Sequence, residues 1–249
     1  MTVLAALSIL GLYELLRVFQ LEKHPFAFVI YAGTLLFDAV LSPDLWISHE
    51  SWSWCILILV FVVLLIFFVF RYPKDTFGQV AKCAFAFVYV TVLMSYIYQV
   101  RCYHEGQWLV WLIMIGSWGS DTCAYVVGML VGKHHFSELS PKKTVEGCVG
   151  GVLGAALIGY IYSLFIPGMN VLAVSPTVAF PVISAICALV SQVGDLAASA
   201  IKRNYEVKDY GTAIPGHGGI LDRFDSVLFA APFVYYLLLL FSSVSVYVS

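Results

Sequence analysis

The stretch WCILILVFVVLLIFFVF, Trp54 to Phe70, is 17 residues long and consists only of Trp, Cys, Ile, Leu, Val and Phe, with no charged residue. A helix needs about 20 mainly apolar residues to cross the hydrocarbon core of a bilayer. The run is continuous rather than alternating, which favours a helix over a barrel strand, because a lone strand in lipid leaves its backbone groups without partners. The stretch therefore predicts a membrane-spanning helix.

The rest of the chain has the same character. Of 249 residues, 61% are hydrophobic and 11% are charged, and the mean hydropathy is +0.91. Soluble domains carry about 25% charged residues, so a water-soluble fold is excluded. We predict an all-α, polytopic bundle of about eight transmembrane helices. The predicted spans are Thr2 to Phe19, Phe26 to Leu41, Trp54 to Phe70, Cys83 to Tyr98, Trp108 to Val131, Cys148 to Ile166, Val178 to Ile201 and Ser226 to Val248.

Charged segments divide the chain. We predict N-terminal transmembrane helices over residues 1–100 and a transmembrane catalytic region over residues 101–249, in which the charged loops are 132–147 and 202–225. Met1 leads into the first span without a basic segment, so we expect no cleavable signal peptide. The net charge of −2 argues against a nucleic-acid partner, which requires a basic surface.

Basic residues fall on alternate connections between the predicted spans. Loops that stay in the cytoplasm carry an excess of Lys and Arg. Of the 13 Lys and Arg residues, Arg101 alone falls on one side of the membrane in this arrangement, and the other twelve fall on the opposite side. We therefore expect the side with twelve, which includes the loop 202–225, to be cytoplasmic and both termini to be outside. The twelve are Arg17, Lys23, Arg71, Lys74, Lys82, Lys133, Lys142, Lys143, Lys202, Arg203, Lys208 and Arg223.

Two aspartates lie inside predicted spans. A carboxylate in a transmembrane helix costs about 2.5–3.5 kcal/mol on insertion scales, so Asp121 and Asp195 each call for a reason. At about 100° per residue, Asp195 shares one helix stripe with Ser191, Ser199 and Lys202. We expect this stripe to end at the cytoplasmic surface.

A second acidic pair begins the last span. Asp222 and Asp225 are three residues apart, which puts both carboxylates on one face if the helix begins near Ile220. Carboxylates with nearby hydroxyl groups suit a hard cation such as Mg²⁺, which usually keeps waters and substrate phosphates as ligands. Structural ion pairs, such as Asp195 with Lys202 or Asp222 with Arg223, are the alternative for any one of these residues.

Glycine-rich and basic loops flank the acidic residues. Gly218 and Gly219 allow backbone amides to face an anion, and His217 can donate to a phosphate. In the loop SPKKTVEG, Lys142 and Lys143 are candidates for the same task. Contact of these lysines with anionic lipid head groups is the alternative for that loop.

The residues Ser199, Lys202-Arg203, Lys208-Asp209, PGHGG at 215–219 and DRFDS at 222–226 resemble the signature of the phosphatidate cytidylyltransferases, also called CDP-diacylglycerol synthases. The segments SQVGD, GSDTCAY and SPKKTVEG are also similar to that family, in the same order. Members usually have one more N-terminal span than this sequence, and Cys123 stands where they often have a small residue.

The resemblance implies transfer of a cytidylyl group from CTP to phosphatidate, giving CDP-diacylglycerol and pyrophosphate for phospholipid biosynthesis. It implies Mg²⁺ as the cofactor and leaves open whether a second, monovalent cation binds. It also implies that the protein forms a homodimer and that it interacts with membrane lipids. The implied catalytic residues are Asp195, Asp222, Lys202 and Asp225, and the implied metal ligands are Asp195, Asp222 and Asp121. The implied substrate-binding residues are Lys142, Lys143, Ser191, Ser199, Arg203, Lys208, His217, Gly218, Gly219 and Arg223.

Two other functions fit the same residues. A related cytidylyltransferase that acts on another lipid phosphate would share every motif named above. A cation-coupled membrane transporter also places carboxylates in spans near glycine-broken segments. Against transport, the charged residues concentrate on one side of the membrane and the HGG segment is not repeated.

Overall fold

A computed structural model describes residues 1–42, 50–137, 139–166, 172–212 and 218–242. Within these ranges the chain forms eight long helices and one two-stranded antiparallel sheet. The predicted all-α fold is confirmed. The helices are α1 Thr2–Val18, α2 Pro25–Leu41, α3 Glu50–Arg71, α4 Phe77–Arg101, α5 Gly106–Val131, α6 Val145–Leu164, α7 Pro176–Asn204 and α8 Leu221–Phe241, and the strands are β1 His135–Ser137 and β2 Ser140–Thr144.

The helices agree approximately with the predicted spans. Of the described helices, α3 to α8 are six that are long and apolar enough to cross a membrane, and α2 is apolar but shorter. α1 has 17 residues. The last helix begins at Leu221, before the predicted span start at Ser226 and next to Ile220, the start that places Asp222 and Asp225 on one face. The end of the last predicted span falls in residues 243–249, outside the described ranges.

Two of the spans contain π-helical stretches, at Phe87–Val92 in α4 and Ile115–Gly119 in α5. A π-helical turn replaces the i→i+4 pattern of hydrogen bonds and so changes which backbone groups point to neighbouring helices. In α5 this matters at Gly116, whose carbonyl oxygen accepts a hydrogen bond from Ser191 Oγ at 3.0 Å. Apolar periodicity does not reveal such a stretch.

The charged loop 132–147 folds into a β-hairpin, which our sequence analysis did not predict. β1 and β2 pair with His135 opposite Thr144. Glu146 ties the base of the hairpin to α6, because its Oε2 accepts the backbone N–H groups of Lys133 at 3.1 Å and His134 at 3.2 Å. The hairpin therefore has a defined position relative to the first turn of α6.

The chain packs as two compact units. The first comprises Met1–Ser95 and Tyr205–Asp222. Its core includes Leu15 and Leu16 of α1, which are fully buried.

Polar side chains also join the elements of the first unit. Thr34 Oγ1 and Thr91 Oγ1 form a buried hydrogen bond of 2.8 Å between α2 and the π-helical stretch of α4. Between α3 and α4, Asp75 pairs with Arg71 and lies 3.3 Å from His24 Nε2, so its carboxylate joins two connections.

The second unit comprises Tyr96–Asn204 and Arg223–Ser249. Within it, α5, α6 and α7 lie close together because glycines replace larger side chains where the backbones meet. A Cβ at Gly147 would lie 2.8 Å from the carbonyl oxygen of Ala124, and a Cβ at Gly151 would lie 2.9 Å from that of Ser120. No side chain fits at either place, so α6 can approach α5 to backbone contact.

Candidate functional site

A cavity of about 660 Å³ lies in the second unit, lined by residues of α5, the hairpin, α6 and α7. Its polar lining includes three of the sequence-predicted site residues, namely Asp121, Lys143 and Asp195. The full lining is Asp121, Ala124, Tyr125, Gly128, Met129, His135, Ser140, Lys143, Thr144, Gly147, Cys148, Gln192 and Asp195.

Lys143 and Asp195 form an ion pair in this cavity. Their side chains keep 25% and 27% of their accessible surface, so the pair is partly screened from water but open to a ligand. Lys143 comes from β2, whose position is set by the hairpin, and Asp195 comes from the middle of α7. The sequence analysis placed both residues in the site but did not predict that they pair with each other.

Thr144 begins α6 beside this pair. Its hydroxyl group accepts the backbone N–H of Gly147 at 3.1 Å and so caps the helix. A capping hydroxyl satisfies one of the N–H groups that a helix start leaves without a partner. Thr144 is both the last residue of β2 and the N-cap of α6. This fixes the position of the preceding residue, Lys143, at the cavity wall.

Gln192 is a cavity residue that the sequence analysis missed. Its Nε2 donates to the carbonyl oxygen of Cys148 at 3.0 Å and lies 3.4 Å from Ser120 Oγ. The side chain therefore links α7 to α6 and α5 one turn before Asp195. A polar amide inside an apolar span was the available signal, since such groups need partners in a membrane.

Among the described side chains that interact electrostatically around Asp195, carboxylates outnumber lysines. Asp121 and Asp225 both lie near enough to Asp195 for its charge to act on their carboxyl groups, and Lys143 acts on Asp121 while Lys202 acts on Asp225. The two lysines thus face three carboxylates. Ser226 also supplies a hydroxyl group to Asp121.

This donor set fits a hard divalent cation. The oxygens available to such a cation belong to carboxylate and hydroxyl groups. The two lysines do not balance the negative charge of the three described carboxylates. Within the described ranges, no three carboxylate, imidazole or thiol groups converge closely enough to hold an ion by themselves. Mg²⁺ usually takes one or two carboxylates and completes its shell with water and substrate phosphate oxygens, so the two observations are compatible.

Other predicted residues of the second unit have structural contacts. Ser191 is fully buried and its hydroxyl group donates to the carbonyl oxygens of Gly116 and Ala188, both at 3.0 Å, which gives it a role in helix packing. Arg203 is exposed and its Nε donates to the carbonyl oxygen of Leu139 at 3.0 Å, which joins the end of α7 to the hairpin tip. Ser199 lies half-buried on the same stripe as Asp195.

Arg223 begins the part of α8 that belongs to this unit, and its side chain is exposed. Its carbonyl oxygen accepts a hydrogen bond from Trp118 Nε1 of α5 at 3.2 Å. Two residues further on, Asp225 is buried. The backbone of this exposed arginine is thus tied to α5.

Asp222, Lys208, Gly218 and Gly219 belong to the first unit. Asp222 Oδ2 accepts the backbone N–H groups of Tyr210 at 2.8 Å and Gly219 at 3.0 Å, so the carboxylate organises its own connecting segment. Gly218 has φ +83°, a left-handed conformation that favours glycine. Lys208 is exposed.

Two predicted substrate-binding side chains fall outside the described part of the chain. His217 and the side chain of Lys142 lie outside the described residues. Asp195 and Asp222 belong to different units. That these two residues hold one cation together stays a prediction.

Glu14 is a second residue that the sequence analysis missed. It is a buried carboxylate in α1, with 4% of its surface exposed, and it binds the backbone at the start of α8. Its signal was the cost of an acidic group within the first apolar run. Its partner, more than 200 residues away, was not visible in the sequence.

Comparisons with known proteins give a consistent result. A family model described as the cytidylyltransferase family matches residues 1–241. The chain is 36% identical over 242 residues to a phosphatidate cytidylyltransferase of Bacillus subtilis, covering 95% of this chain and 87% of the relative. It is 34% identical over 235 residues to a protein of the same name from Staphylococcus saprophyticus, covering 94% and 87%.

A third relative, the phosphatidate cytidylyltransferase of Thermotoga maritima, is 36% identical over 165 residues, which cover 66% of this chain and 60% of that protein. The matched family model and the relatives together extend over the acidic cavity and the segment that ends at Asp222. The chain therefore belongs to the cytidylyltransferase family.

Proposed function

We propose that this protein transfers a cytidylyl group from CTP to phosphatidate, producing CDP-diacylglycerol and pyrophosphate. The observation that carries the proposal is the cavity in which Lys143 and Asp195 form an ion pair beside Asp121, in a membrane protein of this family. The names of the relatives favour phosphatidate over another lipid phosphate. Membership of the family removes the reason to consider a cation-coupled transporter.

The reaction joins two anions. An oxygen of the lipid phosphate attacks the α-phosphorus of CTP and forms a new P–O bond, while the bond from that phosphorus to the bridging oxygen of the β-phosphate breaks. The electron pair of the broken bond leaves with pyrophosphate. Positive charge must therefore meet the phosphates as they approach and as negative charge moves onto the leaving group.

The residues of this chain supply that charge by position. Lys143 faces the cavity and would bind phosphate oxygens there, with its ammonium group held by Asp195 in the absence of substrate. Lys202, near Asp225, and the exposed Arg223 and Lys208 are proposed to hold the triphosphate or the lipid phosphate. We expect positioning and electrostatic stabilisation rather than a covalent enzyme intermediate.

The carboxylates would hold Mg²⁺. We propose Asp195 as a direct ligand, with Asp121 and Asp225 binding the ion or its waters, and Asp222 as the predicted ligand of the other unit. When bound, the ion neutralises phosphate charge. The excess of carboxylates over lysines supports this assignment. A second, monovalent cation stays a prediction.

We propose that the site opens to the cytoplasm. CTP is dissolved in the cytosol, whereas phosphatidate keeps its acyl chains in the bilayer, so the two meet only at the cytoplasmic interface. Twelve of the 13 Lys and Arg residues fall on the predicted cytoplasmic side, which supports this orientation. A homodimer, which the family resemblance implies, is also a proposal, and light scattering of the purified protein in detergent would measure it.

The test is the activity of Asp195→Asn. The purified variant, assayed in detergent with labelled CTP, phosphatidate and Mg²⁺, should lose at least 100-fold of wild-type activity, because it loses a charged group that acts in the transition state. Glu206→Gln removes an exposed carboxylate of the loop after α7, and Arg101→Ala removes the basic residue on the opposite side. Both controls should keep wild-type activity.

Two results would overturn the proposal. If the wild-type protein transfers no label from CTP to phosphatidate, the assigned reaction is wrong. If Asp195→Asn inserts and purifies normally and works at a rate near that of the wild type, the reaction stands but the assignment of the cavity is wrong.

A further inference from the structure

We propose that Glu14 is a positioning residue for the cytidylyl transfer, because its carboxylate holds the segment that leads into Asp222. This inference rests on the proposed function, and it adds a residue of α1 to the machinery. All of its observations lie within the first compact unit.

The contacts of Glu14 are specific. Its Oε1 accepts the backbone N–H of Ile220 at 3.0 Å, and its Oε2 accepts that of Leu221 at 2.8 Å. The side chain is 4% exposed. Each carboxylate oxygen therefore has its own backbone donor, in a place that is almost closed to water.

The two donors lie at the beginning of α8. The first N–H groups of a helix have no partner within the helix, and the helix dipole favours negative charge at that end. Most helices are capped by a side chain of the preceding loop. Here the cap comes from α1, so it also joins the two ends of the unit's sequence.

Two glycines make room for this carboxylate. A Cβ at Gly219 would lie 2.5 Å from Glu14 Oε2, and a Cβ at Gly211 would overlap Glu14 Oε1. The backbone of the segment between α7 and α8 therefore approaches the carboxylate at two points, Gly211 and Gly219. A larger residue at either glycine would displace the carboxylate or the segment.

What Glu14 holds is the segment on which the predicted chemistry depends. Asp222 follows Leu221 directly, and its Oδ2 accepts the N–H groups of Tyr210 and Gly219. Glu14 and Asp222 together thus bind the three consecutive amides of residues 219–221. If the cap is lost, Asp222 and the amides beside Gly218 move together.

The chemistry requires a carboxylate rather than an amide at residue 14. A carboxylate accepts at both oxygens, whereas a glutamine has one acceptor and one NH₂ donor. In Glu14→Gln the NH₂ group would face a backbone N–H, so one hydrogen bond is lost and two donors oppose each other. The substitution keeps the size of the side chain, replaces its second acceptor by an NH₂ donor and removes its negative charge.

The first experiment compares Glu14→Gln with Glu22→Gln. Glu22 lies in the turn after α1, is half-buried and is not part of the cap. We expect kcat of Glu14→Gln to fall at least tenfold, since a displacement of about 1 Å in a catalytic group is enough for a 100-fold loss. Glu22→Gln should stay within twofold of wild type.

A second pair of variants tests the same contact without changing Glu14. Gly211→Ala places a methyl group against the carboxylate, whereas a Cβ at Gly78 would meet only Thr76 Oγ1, at an ordinary 3.8 Å. We expect Gly211→Ala to lower kcat in the same direction as Glu14→Gln, and Gly78→Ala to have wild-type kinetics.

The kcat of each variant is calculated per mole of protein that elutes as a single species from size-exclusion chromatography in detergent. A lower yield of folded protein therefore does not lower the measured kcat. A lowered kcat in Glu14→Gln and Gly211→Ala with normal controls supports the positioning role. Wild-type kcat in the surviving Glu14→Gln protein, whatever its yield, would refute it. An inactive wild-type protein would refute the proposed function instead.

Discussion

Lys143 offers the sharpest test of the cavity, because it is the lysine that pairs with Asp195 there. We consider the change Lys143→Ala. The substitution removes the ammonium group and leaves the carboxylate of Asp195 without its partner. Lys133→Ala is a matched control, because Lys133 belongs to the same loop, its side chain is exposed and its hydrogen bond to Glu146 uses the backbone N–H.

The magnitude follows from the burial of the pair. Two unit charges 4 Å apart attract by about 4 kcal/mol at an effective dielectric constant of about 20. Because 25% and 27% of the two side chains remain exposed, water screens them and the ion pair itself contributes about 1–2 kcal/mol. The interaction of Lys143 with the transition state stabilises more strongly, because the substrate phosphates displace that water. One well-placed donor typically raises kcat about 100-fold, which corresponds to about 2.7 kcal/mol.

The assay is the formation of labelled CDP-diacylglycerol from labelled CTP by purified protein in mixed micelles. We expect kcat/KM of Lys143→Ala to be about 100-fold below wild type, while Lys133→Ala stays within twofold. Lys143→Ala with more than a third of wild-type kcat/KM would refute the reasoning, because the lysine would then face no charge that develops in the reaction. An equal loss in Lys133→Ala would assign the effect to the fold of the hairpin.

Two further predictions concern stability. The hydrogen bond from Arg71, helped by the nearby His24, lowers the pKa of Asp75 below its ordinary value, so its stabilising contribution is complete above about pH 4 and is lost as the pH falls through the lowered pKa. Thermal melts in detergent should therefore show Asp75→Asn below wild type at pH 7 and the two converging below about pH 4, and a constant gap down to pH 3 would contradict this. Gly116→Ala would place a Cβ 2.6 Å from Cys187 Cβ in a buried contact, and overpacking of about 1–3 kcal/mol should lower the melting temperature by several degrees, whereas Gly78→Ala should not. An unchanged melting temperature for Gly116→Ala would mean that α5 and α7 can separate at no cost.

Much of the site could be predicted from residue type and position alone. Asp121 and Asp195 were recognisable because an ionised group in an apolar span is costly, and the structure brings both into one cavity with Lys143. The last span was predicted from its apolar run to start at Ser226, whereas α8 begins at Leu221 and includes the acidic pair in its first turns. These are local properties, which the order of residues expresses directly.

Ser191 illustrates what a local pattern leaves open. It shares the helical stripe of Asp195, yet its hydroxyl group binds the carbonyl oxygen of Gly116 in the π-helical stretch of α5. The stripe predicts which face of α7 carries polar groups but not which neighbour each group meets. A deviation of α5 from α-helical geometry decides that partner.

The sequence by itself determined the membrane-spanning helices and the acidic and basic residues from which a phosphate site can be built. Continuous apolar runs have one favourable solution in lipid, which is a helix that satisfies its own backbone. Only the tertiary structure decided that Lys143 pairs with Asp195, that Gln192 joins three helices and that Glu14 caps a helix beginning more than 200 residues later. Those partners depend on how helices pack side by side, and packing is a property of the whole chain that no local pattern of residues contains.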